Sequence, residues 1–205
     1  MQKNTSLEKN FPIVCLGGAE GDIESYTSLV QSLASDMGVA VVIVNYLKDM
    51  AKGLLEALPS CTSMPIEMIT ERLLVEPNHI FIIPEKLDLH VIDGEFRLKA
   101  ASKPAGWPDV ITVFLNSLAR NWDGKLIAVI LSGFDGDGSN ALCGIKAVGG
   151  ITIAQKAETA SRPDMPNSAI ASGCIDFILA PDDIAKQILK IAREEKTKHS
   201  PGFAA

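Results

Sequence analysis

The 205-residue sequence predicts an α/β protein: a doubly wound, mostly parallel sheet flanked by helices, with a short antiparallel extension around residues 80–99. Three observations carry that prediction. Short, wholly apolar runs such as Val39–Val44 and Leu126–Leu131 read as strands buried on both faces, as in parallel sheets. Between such runs lie longer segments whose apolar residues recur at helical spacing. The alternation of the two along most of the chain specifies crossover connections and a doubly wound sheet.

Taken in order, FPIVCLGG (residues 11–18) is the first strand, and the glycines after it turn the chain into a helix bearing Ile23, Leu29, Val30 and Leu33. GVAVVIVNYL (38–47) is the second strand. KDMAKGLLEALPSC is a helix that Pro59 stops. Residues 65–100 have a different texture, with short alternating runs broken by turn signals. HIFIIP is a strand closed by proline, and DLHVIDGEFRLK is a hairpin turning at Asp93-Gly94. Antiparallel strands are expected here, appended to the parallel core. PDVITVFLNSLARNW is an amphipathic helix with Ile111, Phe114, Leu115 and Leu118 on one face. KLIAVILSG (125–133) is a buried strand, DGSNALCGIKAVGG a helix ended by Gly149-Gly150, ITIAQ a strand, MPNSAIASG a short helix and CIDFILA the last strand. PDDIAKQILKIAREEK closes the fold as a helix, with Pro181 first and Asp182 and Asp183 in its first turn.

The bulk numbers set limits. Hydrophobic residues make up 47% and aromatics 5%, so the core is aliphatic. A net charge of -6 disfavours nucleic acid as a partner. No apolar run approaches the roughly 20 residues of a membrane span, and the polar start MQKNTSLEKN is unlike a signal peptide, so the chain reads as cytoplasmic and not membrane-inserted. One domain is expected over 11–194, with an extended or disordered segment at 1–10 and a flexible tail at 195–205. The four cysteines, Cys15, Cys61, Cys143 and Cys174, form no CxxC pair, which speaks against zinc. Cys15 and Cys143 read as small buried hydrophobes, and disulfides are not expected in a chain without secretion signals.

In doubly wound sheets, ligands bind beyond the carboxyl ends of the strands. Three loops leave those ends: GGAEGD, NYLKD and SGFDGDG. The last is the richest, with Asp135 and Asp137 among three glycines before a helix. Capping and turn formation account for part of that pattern, and a site position accounts for all of it. A calcium loop does not, since Ser139 to Val148 holds no carboxylate. Nor is GGAEGD a dinucleotide fingerprint: its glycines fall at 17, 18 and 21, and Asn45-Tyr46 ends the second strand where an acidic residue would be needed.

Read together and in order, VCLGGAEGD, VVIVNYL, VEPNHIFIIP, FLNSLA, VILSGFDGDGSNALCGIKAVGGITIAQ and MPNSAIASGCIDFIL resemble the catalytic domain of the chemotaxis protein-glutamate methylesterases, in the variety that stands alone or is fused to the receptor methyltransferase. The resemblance spans roughly residues 11–192. It implies a Ser-His-Asp hydrolase without metal or organic cofactor, acting on γ-glutamyl methyl esters, and often glutamines, of chemoreceptor cytoplasmic helices. It places Ala19 at the nucleophile serine, Tyr46 at the base histidine and Asp137 at the triad aspartate, with the Phe134 amide as an oxyanion donor. Glu20, Asp22 and Asp135 are then added carboxylates, and candidate ligand-binding groups, around that position. Alanine cannot attack a carbonyl, and a neutral phenol of pKa about 10 is a poor base. The resemblance with these departures implies an inactive, regulatory module that binds receptor helices or a methyltransferase. With residues 1–10 alone ahead of the first strand, no receiver domain is expected. Two alternatives stay open: an active methylesterase or deamidase rewired through Ser25, Ser132, His79 or His90, and a cation- or ligand-binding domain using Glu20, Asp22, Asp135 and Asp137.

Overall fold

The computed structural model describes residues 10–19, 23–103 and 108–199. Seven parallel strands form the sheet: β1 (Ile13–Ala19), β2 (Ala40–Val44), β3 (Ile66–Met68), β4 (Ile80–Ile82), β7 (Leu126–Gly133), β8 (Ile151–Gln155) and β9 (Phe177–Leu179), in spatial order β3-β4-β2-β1-β7-β8-β9. Two more, β5 (Leu87–Ile92) and β6 (Glu95–Ala100), pair as an antiparallel hairpin. The helices are α1 (Ile23–Gln31), α2 (Met50–Ala57), α3 (Val110–Asn121), α4 (Leu142–Ala147), α5 (Asp164–Ala171) and α6 (Pro181–His199).

Alternate residues of each central strand serve opposite cores, as the two-residue period of a strand requires. Val14, Leu16, Val41, Ile43, Ile127 and Val129 pack with α1, α2 and α6 through Leu29, Val30, Leu54, Ile184 and Ile188. Ile13, Cys15, Val42, Val44, Ala128 and Ile130 pack with α3, α4 and α5 through Ile111, Phe114, Leu118, Ile145 and Met165. The chain leaves β1 for β2 on one side and later returns as β7 on the other. The strand order therefore reverses at β1, and the crevice beyond its carboxyl end is where such sheets bind ligands.

The hairpin turns where expected. Asp93 and Gly94 both have positive φ, 53° and 79°, as a type I′ turn needs. It is held to α3 by Ser117, whose Oγ accepts from the Val91 amide at 2.9 Å and donates to the Val91 carbonyl at 3.2 Å.

Three expectations are corrected. The antiparallel extension is present as β5 and β6, but HIFIIP is no part of it: it supplies β4, a parallel member of the main sheet, and the preceding PIEM supplies the edge strand β3. Three-residue strands are too short to display a period, so tertiary pairing decides them. Cys143 is exposed on α4 and bonded to Cys174 in a disulfide, where a buried free thiol was expected. The two lie 31 residues apart, and only the packing of α4 beside the α5–β9 connection brings them together. Finally, α6 continues to His199, so part of the segment read as a flexible tail is helical.

Candidate functional site

The ends of β1, β2 and β7, from which the three loops leave, lie side by side at the reversal point of the sheet. The first leaves β1 through a bulge: Gly17 pairs with Ile130, but Ala19 pairs with Gly133. Side chains could not be accommodated here. A Cβ on Gly17 would lie 2.8 Å from the Ile111 side chain, and one on Gly18 would collide with the Tyr26 hydroxyl. That hydroxyl also receives a hydrogen bond from Asn45 Nδ2 at 3.2 Å, so the buried Asn45 fastens the second loop to the first. Ala19 itself is completely buried.

Tyr46, two residues past β2, is half-buried and donates its hydroxyl proton to Asp135 Oδ2. The other oxygen of Asp135 accepts from the Asp137 amide at 3.0 Å. Burial, the bond to Asp135 and the negative charges of Asp135 and Asp137 all push the phenol pKa far above its ordinary value. The position that resembles a general base thus holds a fixed proton donor. A phenolate titration follows: the absorbance difference between wild type and Tyr46→Phe should be missing near pH 10 and appear only on alkaline unfolding. Because the folded pKa is raised, the stability Tyr46 contributes is complete below the unfolded value near 10 and is lost as pH rises through the folded one. A native difference signal centred near pH 10 would refute the bond.

Asp137 is buried and heavily engaged. Its Oδ2 accepts from the Ile111 amide at 2.8 Å, and its Oδ1 accepts from the Thr112 amide at 2.9 Å, Thr112 Oγ1 at 2.7 Å and its neighbour's Gly138 amide at 2.7 Å. Asp109, which precedes α3 in the chain, makes no side-chain cap. Asp137 supplies the missing acceptor from another loop and places its charge at the positive end of α3. Desolvation raises its pKa, and the bonds from Thr112 and Ile111 oppose that rise. Capping is therefore correct as one reading of this loop, but the capped helix is α3 and not the α4 that follows. The Thr112 contribution was not foreseen, since nothing in PDVIT marks a threonine that meets a loop 25 residues away.

Phe134 is 41% exposed, with the Arg162 guanidinium 4.8 Å above its ring. The backbone of Arg162 is tied to β7: its amide donates to Ser132 Oγ at 2.8 Å, and its carbonyl accepts from the Gly133 amide at 2.9 Å. A cleft of about 380 Å³ opens along the next part of this loop, lined by Asp109, Thr112, Asp135, Asp137, Ser139 and Ser168. Glu20 and Asp22 lie outside the described residues. Among the described residues, no group of three or more His, Cys, Asp or Glu is placed to hold a metal ion.

Of the candidates for a rewired site, the two histidines lie away from this cluster. His79 precedes β4, at the opposite edge of the sheet, where it stacks on Phe81 and meets the Pro77 carbonyl. His90 lies on the hairpin, its pKa lowered by burial and by Lys99. Ser132 is engaged with Arg162, and Ser25 lies on α1.

Comparison with known proteins agrees with the geometry. The family model described as CheB methylesterase matches residues 14–188. The chain is 31% identical over 180 residues to protein-glutamate methylesterase/protein-glutamine glutaminase 3 of Burkholderia orbicola (strain AU 1054), covering 86% of this chain and 53% of that one. It is 26% identical over 189 residues to the enzyme of the same name from the group 3 operon of Rhizobium meliloti (strain 1021), covering 88% and 52%. The chain thus spans about half the length of these curated relatives. The crystal structure of the Thermotoga maritima CheB methylesterase catalytic domain superposes with a TM-score of 0.78 at 26% identity, over 89% of this chain and 98% of that one. With residues 14–188 matched by the family model and the fold shared with a solved member, the chain belongs to the CheB methylesterase family.

Proposed function

We propose that this chain is a methylesterase-family module that binds a protein partner at the carboxyl edge of its sheet without hydrolysing an ester. The observation that carries the reading is the Tyr46 hydroxyl donating to Asp135, which puts a donor where acyl transfer needs a proton acceptor. Ala19 at the end of β1 removes the nucleophile as well. Members of a triad act as a unit, and losing one costs about 10⁴–10⁶ in rate, so losing two removes the reaction. The Asp135 carboxylate, next to the Phe134 amide, further opposes any oxyanion there. What remains is a recognition surface: the exposed Phe134 with its Arg162 cation, and the polar cleft along the same loop.

By family membership, the partner is the cytoplasmic helices of a chemoreceptor or the receptor methyltransferase, and the setting is the cytoplasm. No helix among the described residues is long and apolar enough to cross a membrane. Methyl-labelled receptor cytoplasmic fragment provides the test. Wild-type chain should co-elute with the fragment while labelled methanol stays at the level of the protein-free control. Methanol release that disappears in Asp137→Asn would overturn the proposal, and so would the absence of binding to both fragment and methyltransferase.

A further inference from the structure

We infer that Cys143 and Cys174 form a reversible redox staple that sets the rigidity of the loop carrying Asp135 and Asp137. That loop, residues 134–138, has a support on each side. One is the short 3-10 turn Ser139–Ala141 leading into α4, with Ser139 Oγ donating to the Gly136 carbonyl at 2.6 Å. The other is α5, whose Met165 and Ser168 side chains come within 2.8 and 3.2 Å of where a Cβ would sit on Gly133 and Gly136. Cys143 lies on α4 and Cys174 lies just past α5, so their bond ties the two supports together. Cys174 is itself anchored to the sheet, its carbonyl accepting from Thr152 Oγ1 at 2.6 Å. The reach of the staple is therefore from β8 to the helix that follows the loop.

The chemistry is available. The Cα atoms stand 5.1 Å apart, within the usual span of a bridge, so closing it needs no backbone movement. Cys143 is exposed, which opens the bond to small thiols. Neither remaining cysteine competes. Cys15 is buried in β1, its thiol pKa pushed up by burial, and Cys61 ends the turn after α2 on the other face of the sheet. Closure uses a low-molecular-weight disulfide as oxidant. The Cys143 thiolate attacks it and releases one thiol; the Cys174 thiolate then attacks the mixed disulfide at Cys143 and releases the second. The protein loses two electrons and two protons, and the oxidant becomes two thiols.

The inference stands apart from what the loop binds. Equilibrating the wild-type chain in mixtures of reduced and oxidised glutathione, followed by denaturing alkylation and mass measurement, tests it. Expected are two labelled cysteines in oxidising mixtures, Cys15 and Cys61, and four in reducing ones. Opening should speed deuterium exchange over residues 134–142 by about tenfold and lower Tm by about 5–10 °C. Cys143→Ser and Cys174→Ser should show the fast exchange in every mixture. A pair that never closes, a pair that never opens under reduced glutathione, or opening that leaves exchange over 134–142 unchanged would each overturn the inference.

Discussion

Ala19→Ser combined with Tyr46→His should leave methyl-ester hydrolysis at no more than about a hundredth of the rate reached when Asp135→Gly is added to the pair. The double variant restores a nucleophile and a base. It leaves the Asp135 carboxylate beside the Phe134 amide, where an oxyanion would have to form, and where removing one good donor already costs about 10²–10³ in kcat. It also leaves that carboxylate free to draw the new imidazole away from Asp137, since Asp135 is the partner of residue 46 in this protein. In the triple variant Asp137, whose charge already acts on residue 46, is left to orient the imidazole, and its Oδ2 accepts the Ile111 amide through one lone pair and keeps another for a second donor. Methanol release from methylated receptor fragments measures both variants. Equal rates in the double and triple variants would show that Asp135 is no obstacle.

Asp137→Ala should destabilise the fold by about 3 kcal/mol or more, against about 1–2 kcal/mol for Asp137→Asn. The alanine strands the Ile111 and Thr112 amides around a buried void, while the Gly138 amide keeps its bond to Thr112 Oγ1. The asparagine keeps one carbonyl oxygen for the Thr112 side of that set but turns an amide N–H towards the other. Urea unfolding at pH 7 reads both values. The pH dependence has a definite sign. Because burial raises the Asp137 pKa in the folded state, the folded chain binds the proton more tightly than the unfolded one. The stability this linkage supplies is complete below the unfolded carboxylate value near 4 and is lost as pH rises through the folded pKa. Stability relative to Asp137→Asn should therefore decline across the mildly acidic range, and a rise there would refute the raised pKa.

The large features were legible because they rest on short-range patterns. Buried runs such as Val39–Val44 and Leu126–Leu131 have no other use than a doubly covered sheet, and Asp93-Gly94 meets the demand for two positive φ values. The order of the three loops was enough to expose the family. What escaped depends on packing between distant segments. Strand β3 exists because Ile66–Met68 finds β4, and its three residues carry no signature of their own. The bond between Cys143 and Cys174, the donation from Tyr46 to Asp135 and the role of Thr112 all join residues far apart in the chain. Each partner alone looks ordinary, and only the folded chain supplies the distance.

The double duty of Asp137 has a consequence for how the chain can drift under mutation. A residue that bolts the start of α3 to a neighbouring loop is kept by the need to fold, whether or not any ester is ever cut. Nothing comparable holds Ala19 or Tyr46 to a serine and a histidine: the glycines beneath residue 19 and the Tyr26–Asn45 clasp shape that loop without regard to its apex. Selection for stability alone would thus keep Asp137 in this fold, whatever stands at residues 19 and 46. An aspartate at this place testifies to the integrity of a helix, and its presence alone is no sign of catalysis.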